Sequence, residues 1–257
     1  MNDRLDRLWA TKTKDDEWWS SFITAPLAIA LNYFVVDFKW LTPNKVTLIS
    51  FFTAIVATVF IVLGGVINFI IAAVLIHLSH IFDCMDGQMA RYRKTTSISG
   101  GYYDKLTDEV QVALWFGAVG YAAYSQTQQI TPIILAFIGV VGYAYRGYVK
   151  YVSLHTQMSH NSNYLIELET QMLNAKKADV AGLNFSFKAN VRWLIREQKK
   201  IIYVNEGVFI FMLSVALVMN SIITDSLLLM LWTFAISQTV LAIGRTWVKC
   251  NEISALD

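Results

Sequence analysis

Long apolar runs alternate with short polar breaks along the chain. An apolar run of roughly 20 residues reads as a helix that crosses a bilayer, because the hydrocarbon core takes about that many residues to span. Six such segments are predicted, at about 44–63, 68–93, 100–124, 131–151, 201–219 and 226–248. Gly64-Gly65 separates the first two, and residues 125–130 form a polar, uncharged loop after the third. Thr42-Pro43 and Thr131-Pro132 are helix-start signals, with Thr as N-cap and Pro at the first helical position. Residues 1–16 are charged and read as a flexible start. Residues 17–38 are apolar and rich in aromatics, with Trp18, Trp19, Phe22, Tyr33 and Phe34, and contain Pro26. Their Trp-heavy start favours a helix lying in the membrane interface over a seventh span.

The expected fold class is an all-α membrane protein of six transmembrane helices, preceded by an N-terminal interfacial amphipathic helix. Residues 1–43 form the N-terminus and interfacial helix, and residues 44–257 the six-helix domain, with an insert at about 152–200. The insert is polar and mixed, with a helix expected at 163–179. It reads as a solvated linker carrying one amphipathic helix, or as a part of acceptor recognition.

Composition agrees. The 257 residues are 55% hydrophobic with a mean hydropathy of +0.44, which excludes a soluble domain of this size. A net charge of +2 decides little, and no nucleic-acid partner is expected. The placement of charge decides more. The turns near 64–67, 125–130 and 220–225 hold no Lys or Arg, so all 21 Lys+Arg residues lie on the opposite side or reach it by snorkelling. That side is the cytoplasm by the positive-inside rule. It holds both termini, the insert and residues 83–108. A seventh span would move the first Lys and Arg outside. No cleavable signal peptide is expected, since the first 16 residues are polar and charged. Cys84 and Cys250 are far apart, match no metal spacing, and are expected as free thiols on the reducing side.

Residues 83–108 hold the candidate chemistry. Asp83, Asp86, Gly87 and Ala90 fall at i, i+3, i+4 and i+7, one face of a helix, with Arg91 beside them. Gly100, Asp104 and Asp108 fall at i, i+4 and i+8, again one face. Two antiparallel helices joined through residues 92–99 would bring these faces together. A carboxylate in a membrane helix costs about 2.5–3.5 kcal/mol, so four need a cation, and Arg91 supplies one charge. A pair of divalent ions is the natural remainder, and an all-oxygen donor set suits Mg²⁺ or Mn²⁺. Gly87 and Ala90 let a flat ligand or a neighbouring helix approach the backbone.

The pattern D-x2-D-G-x2-A-R-x8-G-x3-D-x3-D, matched at every fixed position, resembles the signature of the CDP-alcohol phosphotransferase (CDP-alcohol phosphatidyltransferase) family. The resemblance implies transfer of a substituted phosphate from a CDP-linked donor to an alcohol acceptor, with release of CMP, in phospholipid or glycolipid synthesis. It implies Asp83, Asp86, Asp104 and Asp108 as ligands of two divalent metals, Mg or Mn, with Asp108 also the catalytic base at the acceptor hydroxyl. Asn44, Thr47, Gly87, Ala90, Arg91, Ser97 and Gly100 would hold the donor. A homodimer, a polar cavity open to the cytoplasm and a lipid on at least one substrate are implied as well. The resemblance does not say whether donor or acceptor carries that lipid.

Other residues allow two readings. Asn44 and Thr47 also suit ordinary hydrogen bonding at a helix start. Arg146 and Lys150, at i and i+4, are either snorkelling anchors or the site of an anionic acceptor. His80 is either a hydrogen-bonded core histidine or a group at the metal site. Lys105, Glu109, Glu206 and Arg245 read as interfacial anchors or inter-helix partners. Two other functions use clustered acids: a Mg-dependent membrane prenyltransferase, whose Asp motifs sit on well-separated helices, and a divalent-cation transporter, whose site should lie near the bilayer midplane.

Overall fold

The structure, a computed structural model, describes residues 3–12, 18–175, 187–196 and 206–255. The described residues form helices and no strand: α1 (Asp3–Trp9), a π-helical turn (Ser20–Thr24), α2 (Ala25–Val35), α3 (Pro43–Leu63), α4 (Val66–Arg93), α5 (Ile98–Thr127), α6 (Thr131–His160), α7 (Tyr164–Ala175), α8 (Phe187–Arg196), α9 (Glu206–Met219) and α10 (Ser226–Ser254). Four of them, α3, α4, α6 and α10, are long and apolar enough to cross a membrane. This is a helical membrane protein. Helix α5 is 30 residues long, but Asp104, Lys105, Asp108 and Glu109 interrupt its first half. Of the segment expected at 201–219, residues 201–205 lie outside the described residues, and the rest is α9.

The helix ends follow local chemistry. Thr42 caps α3 by accepting from Lys45 N at 3.4 Å, and Pro43 takes the first helical position. Gly64 and Gly65 have φ of +67° and +82°, a left-handed pair that ends α3 and starts α4. Thr131 is not the cap expected of it. The helix starts one residue earlier in register, with Ile130 at the cap and Thr131 already helical. Pro26 explains the π-turn: it has no N–H to give and its ring crowds the preceding turn, so Ala25 N reaches back to Ser20 O instead.

Small residues bring the helices close. Ala54, Ala57 and Ala72 are fully buried among α3, α4 and α5, with Trp115 Nε1 donating to Ala54 O at 3.3 Å. Helices α6 and α10 pack through Gly139 and Gly142. A Cβ on Gly139 would lie 2.4 Å from Phe234 Cδ1, and one on Gly142 would lie 3.1 Å from the Gln238 main chain. Phe234 in turn stacks on Phe116, with ring centroids 3.5 Å apart. One polar brace crosses this apolar core. Ser50 Oγ donates to Ser79 O at 2.9 Å, and Ser79 Oγ lies 2.9 Å from both Ser50 O and Gln111 Oε1, tying α3, α4 and α5 together.

The N-terminal region departs from the flexible start expected of it. Helix α1 is docked, because Leu8 is fully buried with Val36, Leu41, Met85 and Met89, Arg4 pairs with Asp37 at 2.9 Å, and the Arg7 guanidinium lies 4.5 Å from the Tyr92 ring centroid. In α2 the polar Asn32 points inward, donating to Met85 O at 2.9 Å, while Leu27, Leu31 and Phe34 face outward. The helix therefore has an apolar outer face. In the insert, the helix expected at 163–179 appears as α7, with residues 176–179 outside the described residues, and a second helix, α8, follows. Cys84 and Cys250 are free thiols.

Candidate active site

At one end of the bundle the last turns of α4 and the first turns of α5 face each other across a cavity of about 650 Å³. The hinge between them is short. Lys94 adopts φ of 56° and Thr95 N donates back to Ala90 O at 2.9 Å, closing α4. Ser97 then caps α5 by accepting from Gly100 N at 3.0 Å. The start of α3 supplies the third wall with Pro43, Asn44 and Thr47.

The aspartates converge there. Carboxylate oxygens of Asp83, Asp104 and Asp108 lie within 4.8 Å of one another. Asp86 lines the same cavity, with its Oδ2 accepting from the Thr47 hydroxyl. Oδ1 of Asp83 and Oδ1 of Asp108 are buried without a hydrogen-bond partner. Carboxylate oxygens taken out of water and left unpaired are costly unless a cation joins them. The residues thus fit a hard divalent ion: oxygen donors from two helices, pre-aimed at one point.

Every donor residue expected from the sequence lines this cavity: Asn44, Thr47, Gly87, Ala90, Arg91, Ser97 and Gly100. The glycines make room for side chains. A Cβ on Gly87 would meet Arg91 Nη1 at 3.0 Å, and one on Gly100 would meet Ser97 Oγ at 3.0 Å and Asn44 Oδ1 at 3.1 Å. Arg91 is steadied from outside the signature, its Nε donating to Thr11 O at 2.7 Å. Arg93 clamps the approach to α3, donating to Val36 O and Leu41 O at 2.7 Å and to Phe38 O at 3.1 Å.

Arg146 and Lys150 are not among the residues that line the aspartate cavity. Arg146 donates to the buried Gln238 Oε1, and Arg245 donates to Arg146 O at 3.1 Å. Lys150 stands exposed beside the Tyr151 ring. Lys105 and Glu206, expected as anchors or helix partners, do line the cavity, with Ser20, His80, Thr95 and Thr96. The signal that could have found Lys105 was its place next to Asp104. Glu206 and Ser20 had none, since they are far away in sequence. His80 has Nε2 3.0 Å from Ser20 Oγ.

A bundle of apolar helices with an acid-lined polar cavity at one end defines a helical membrane enzyme. Residues 40–184, more than half of the chain, match the family described as CDP-alcohol phosphatidyltransferase, and the chain belongs to that family. The bifunctional IPC transferase and DIPP synthase of Thermococcus kodakarensis is 30% identical over 136 residues, 53% of this chain and 30% of that protein. The inner membrane protein YnjF of Escherichia coli is 33% identical over 106 residues, 41% of this chain and 50% of that protein. The chain thus spans about a third to a half of the length of these relatives. Mycobacterium tuberculosis phosphatidylinositol phosphate synthase (PgsA1), solved with CDP-DAG bound, shares the fold with a TM-score of 0.56 at 16% identity, over 87% of this chain and 91% of that one.

Proposed function

We propose that this protein transfers a substituted phosphate from a CDP-linked donor, CDP-diacylglycerol or another CDP-alcohol, to an alcohol acceptor, releasing CMP, in phospholipid or glycolipid synthesis. One observation carries the reading: the residues assigned to the donor line one cavity with Asp83, Asp86 and Asp104, and a carboxylate oxygen of Asp108 lies within 4.8 Å of those of Asp83 and Asp104. Membership of the family sets aside the prenyltransferase and cation-transporter alternatives.

In this reading Asp83, Asp86, Asp104 and Asp108 hold two divalent ions, Mg or Mn, which when bound neutralise the donor diphosphate and the charge that develops on the transferring phosphorus. Arg91 places its guanidinium fork on a phosphate oxygen, a task a planar bidentate group performs better than an ammonium. Gly87 and Gly100 keep Arg91, Ser97 and Asn44 in position. Asp108 takes the proton of the acceptor hydroxyl as its oxygen bonds to the phosphorus, while the bond from phosphorus to the CMP oxygen breaks. Arg146, Lys150 and Arg245, three cations toward the end of α6 and of α10, form the approach for an anionic acceptor.

The reading includes six spans, with α5 and α9 as the two beyond α3, α4, α6 and α10. The charge asymmetry supports a cavity that faces the cytoplasm. The apolar outer face of α2 supports a place for it at the bilayer surface. A homodimer completes the proposal, and sedimentation of the detergent-solubilised protein tests it.

The deciding experiment is CMP release by purified protein with Mg²⁺ or Mn²⁺ and a panel of CDP-linked donors and alcohols. CMP that appears only with donor, acceptor and metal together is expected. No CMP with any common donor would overturn the proposal.

A further inference from the structure

The cavity holds a second cluster that the signature does not contain. A ring nitrogen of His80, a carboxylate oxygen of Asp83 and one of Glu206 lie within 4.8 Å of one another. They come from successive turns of α4 and from the start of α9. His80 is 6% exposed, and its two nitrogens differ. Nε2 lies 3.0 Å from Ser20 Oγ, whereas Nδ1 is buried with no hydrogen-bond partner. In the tautomer that carries its proton on Nε2, that proton is given to Ser20 Oγ and the Nδ1 lone pair is bare. A histidine that ligates a metal is held in the same way, with its other ring nitrogen donating to an oxygen. His77, one turn earlier, shows what an uninvolved histidine does: its Nδ1 lies 3.0 Å from Ala73 O and 3.0 Å from Ser214 Oγ. Asp83 Oδ1 is also buried without a partner.

We propose that His80, Asp83 and Glu206 form a divalent-cation position distinct from the one at Asp83, Asp104 and Asp108, with Asp83 shared between them. One imidazole nitrogen with two carboxylates suits a first-row transition ion such as Mn²⁺, Co²⁺ or Zn²⁺ and suits Mg²⁺ poorly. The position goes beyond the transferase reading and does not depend on which donor or acceptor is used. It gives the cavity a preference for transition ions that four aspartates alone do not supply.

The test is pulsed EPR on the purified full chain loaded with Mn²⁺ alone. Nitrogen modulation from a coordinated imidazole is expected in the wild type, and its loss is expected in His80→Gln. In Asp104→Asn the modulation is expected to persist, since Asp104 belongs only to the other position. Bound Mn²⁺ without nitrogen modulation in the wild type would overturn the proposal without any variant having to fold. So would modulation that survives in His80→Gln. CMP release measured on the same samples separates the two readings: nitrogen-coordinated Mn²⁺ in a protein that releases no CMP would leave this position standing and remove the transferase proposal.

Discussion

Glycine does two different jobs at the two sides of this bundle. Where α6 meets α10, Gly139 and Gly142 yield space to Phe234 and to the main chain at Gln238. Where α4 meets α5, Gly87 and Gly100 yield space to Arg91, Ser97 and Asn44. On the first side a missing side chain tightens apolar packing, and on the second it sets a polar group at a fixed height over a cavity. A glycine in a membrane helix therefore says that something is close, and only the neighbour says whether stability or chemistry is served.

The contrast can be broken by substitution. Asp108→Asn tests the chemical side most severely. It should lower CMP release by about 10²–10⁴-fold, the usual worth of a general base, while metal-dependent donor binding is retained. Retained turnover in that variant would remove Asp108 from its role. Gly139→Val tests the packing side. A Cβ 2.4 Å from Phe234 should cost about 1–3 kcal/mol of stability, seen as earlier thermal unfolding in detergent, while the rate per folded molecule holds. Gly87→Ala should give the opposite signature. Its Cβ presses on Arg91 Nη1, so KM for the donor should rise about tenfold, or ~1.4 kcal/mol, with little change in unfolding. Should Gly87→Ala instead lower stability and spare KM, the distinction between the two sides fails. Arg146→Ala should have the smallest effect, raising KM for an anionic acceptor roughly two- to fivefold, the range of a partly exposed charge, and leaving the donor KM unchanged. Equal rises for both substrates would return Arg146 to an anchoring role.

The periodic parts of the molecule were legible from the chain alone. Helix ends at Thr42-Pro43 and at Gly64-Gly65 followed from residues whose backbone preferences leave few options. Asp104 and Asp108 share one face of α5 by the helical repeat, as Asp83 and Asp86 do on α4, and the short connection between the helices brings Asp83 to the other pair. What escaped depends on contacts between distant residues. The docking of α1 rests on Leu8 meeting Met85 and Met89, and a charged heptapeptide with one buried leucine has no pattern strong enough to announce that. The Arg93 clamp joins one side chain to three carbonyls more than 50 residues away, and carbonyls carry no sequence signature. Glu206 reaches the cavity only because α9 packs against α4. Thr131 failed as a cap because Ile130 was already held in helical backbone, which the Thr-Pro pair cannot reveal.

The Ser50–Ser79–Gln111 brace sits one helical turn below Thr47, Asp83 and Asp108 respectively, so α3, α4 and α5 are pinned together directly beneath the acidic cluster. Helix α9 joins the braced half through Ser214 Oγ, 3.0 Å from His77 Nδ1, and α6 joins α10 through Arg146 and Gln238. A substitution at Ser50, Ser79 or Gln111 would thus shift all three helices at once without altering any side chain that lines the cavity.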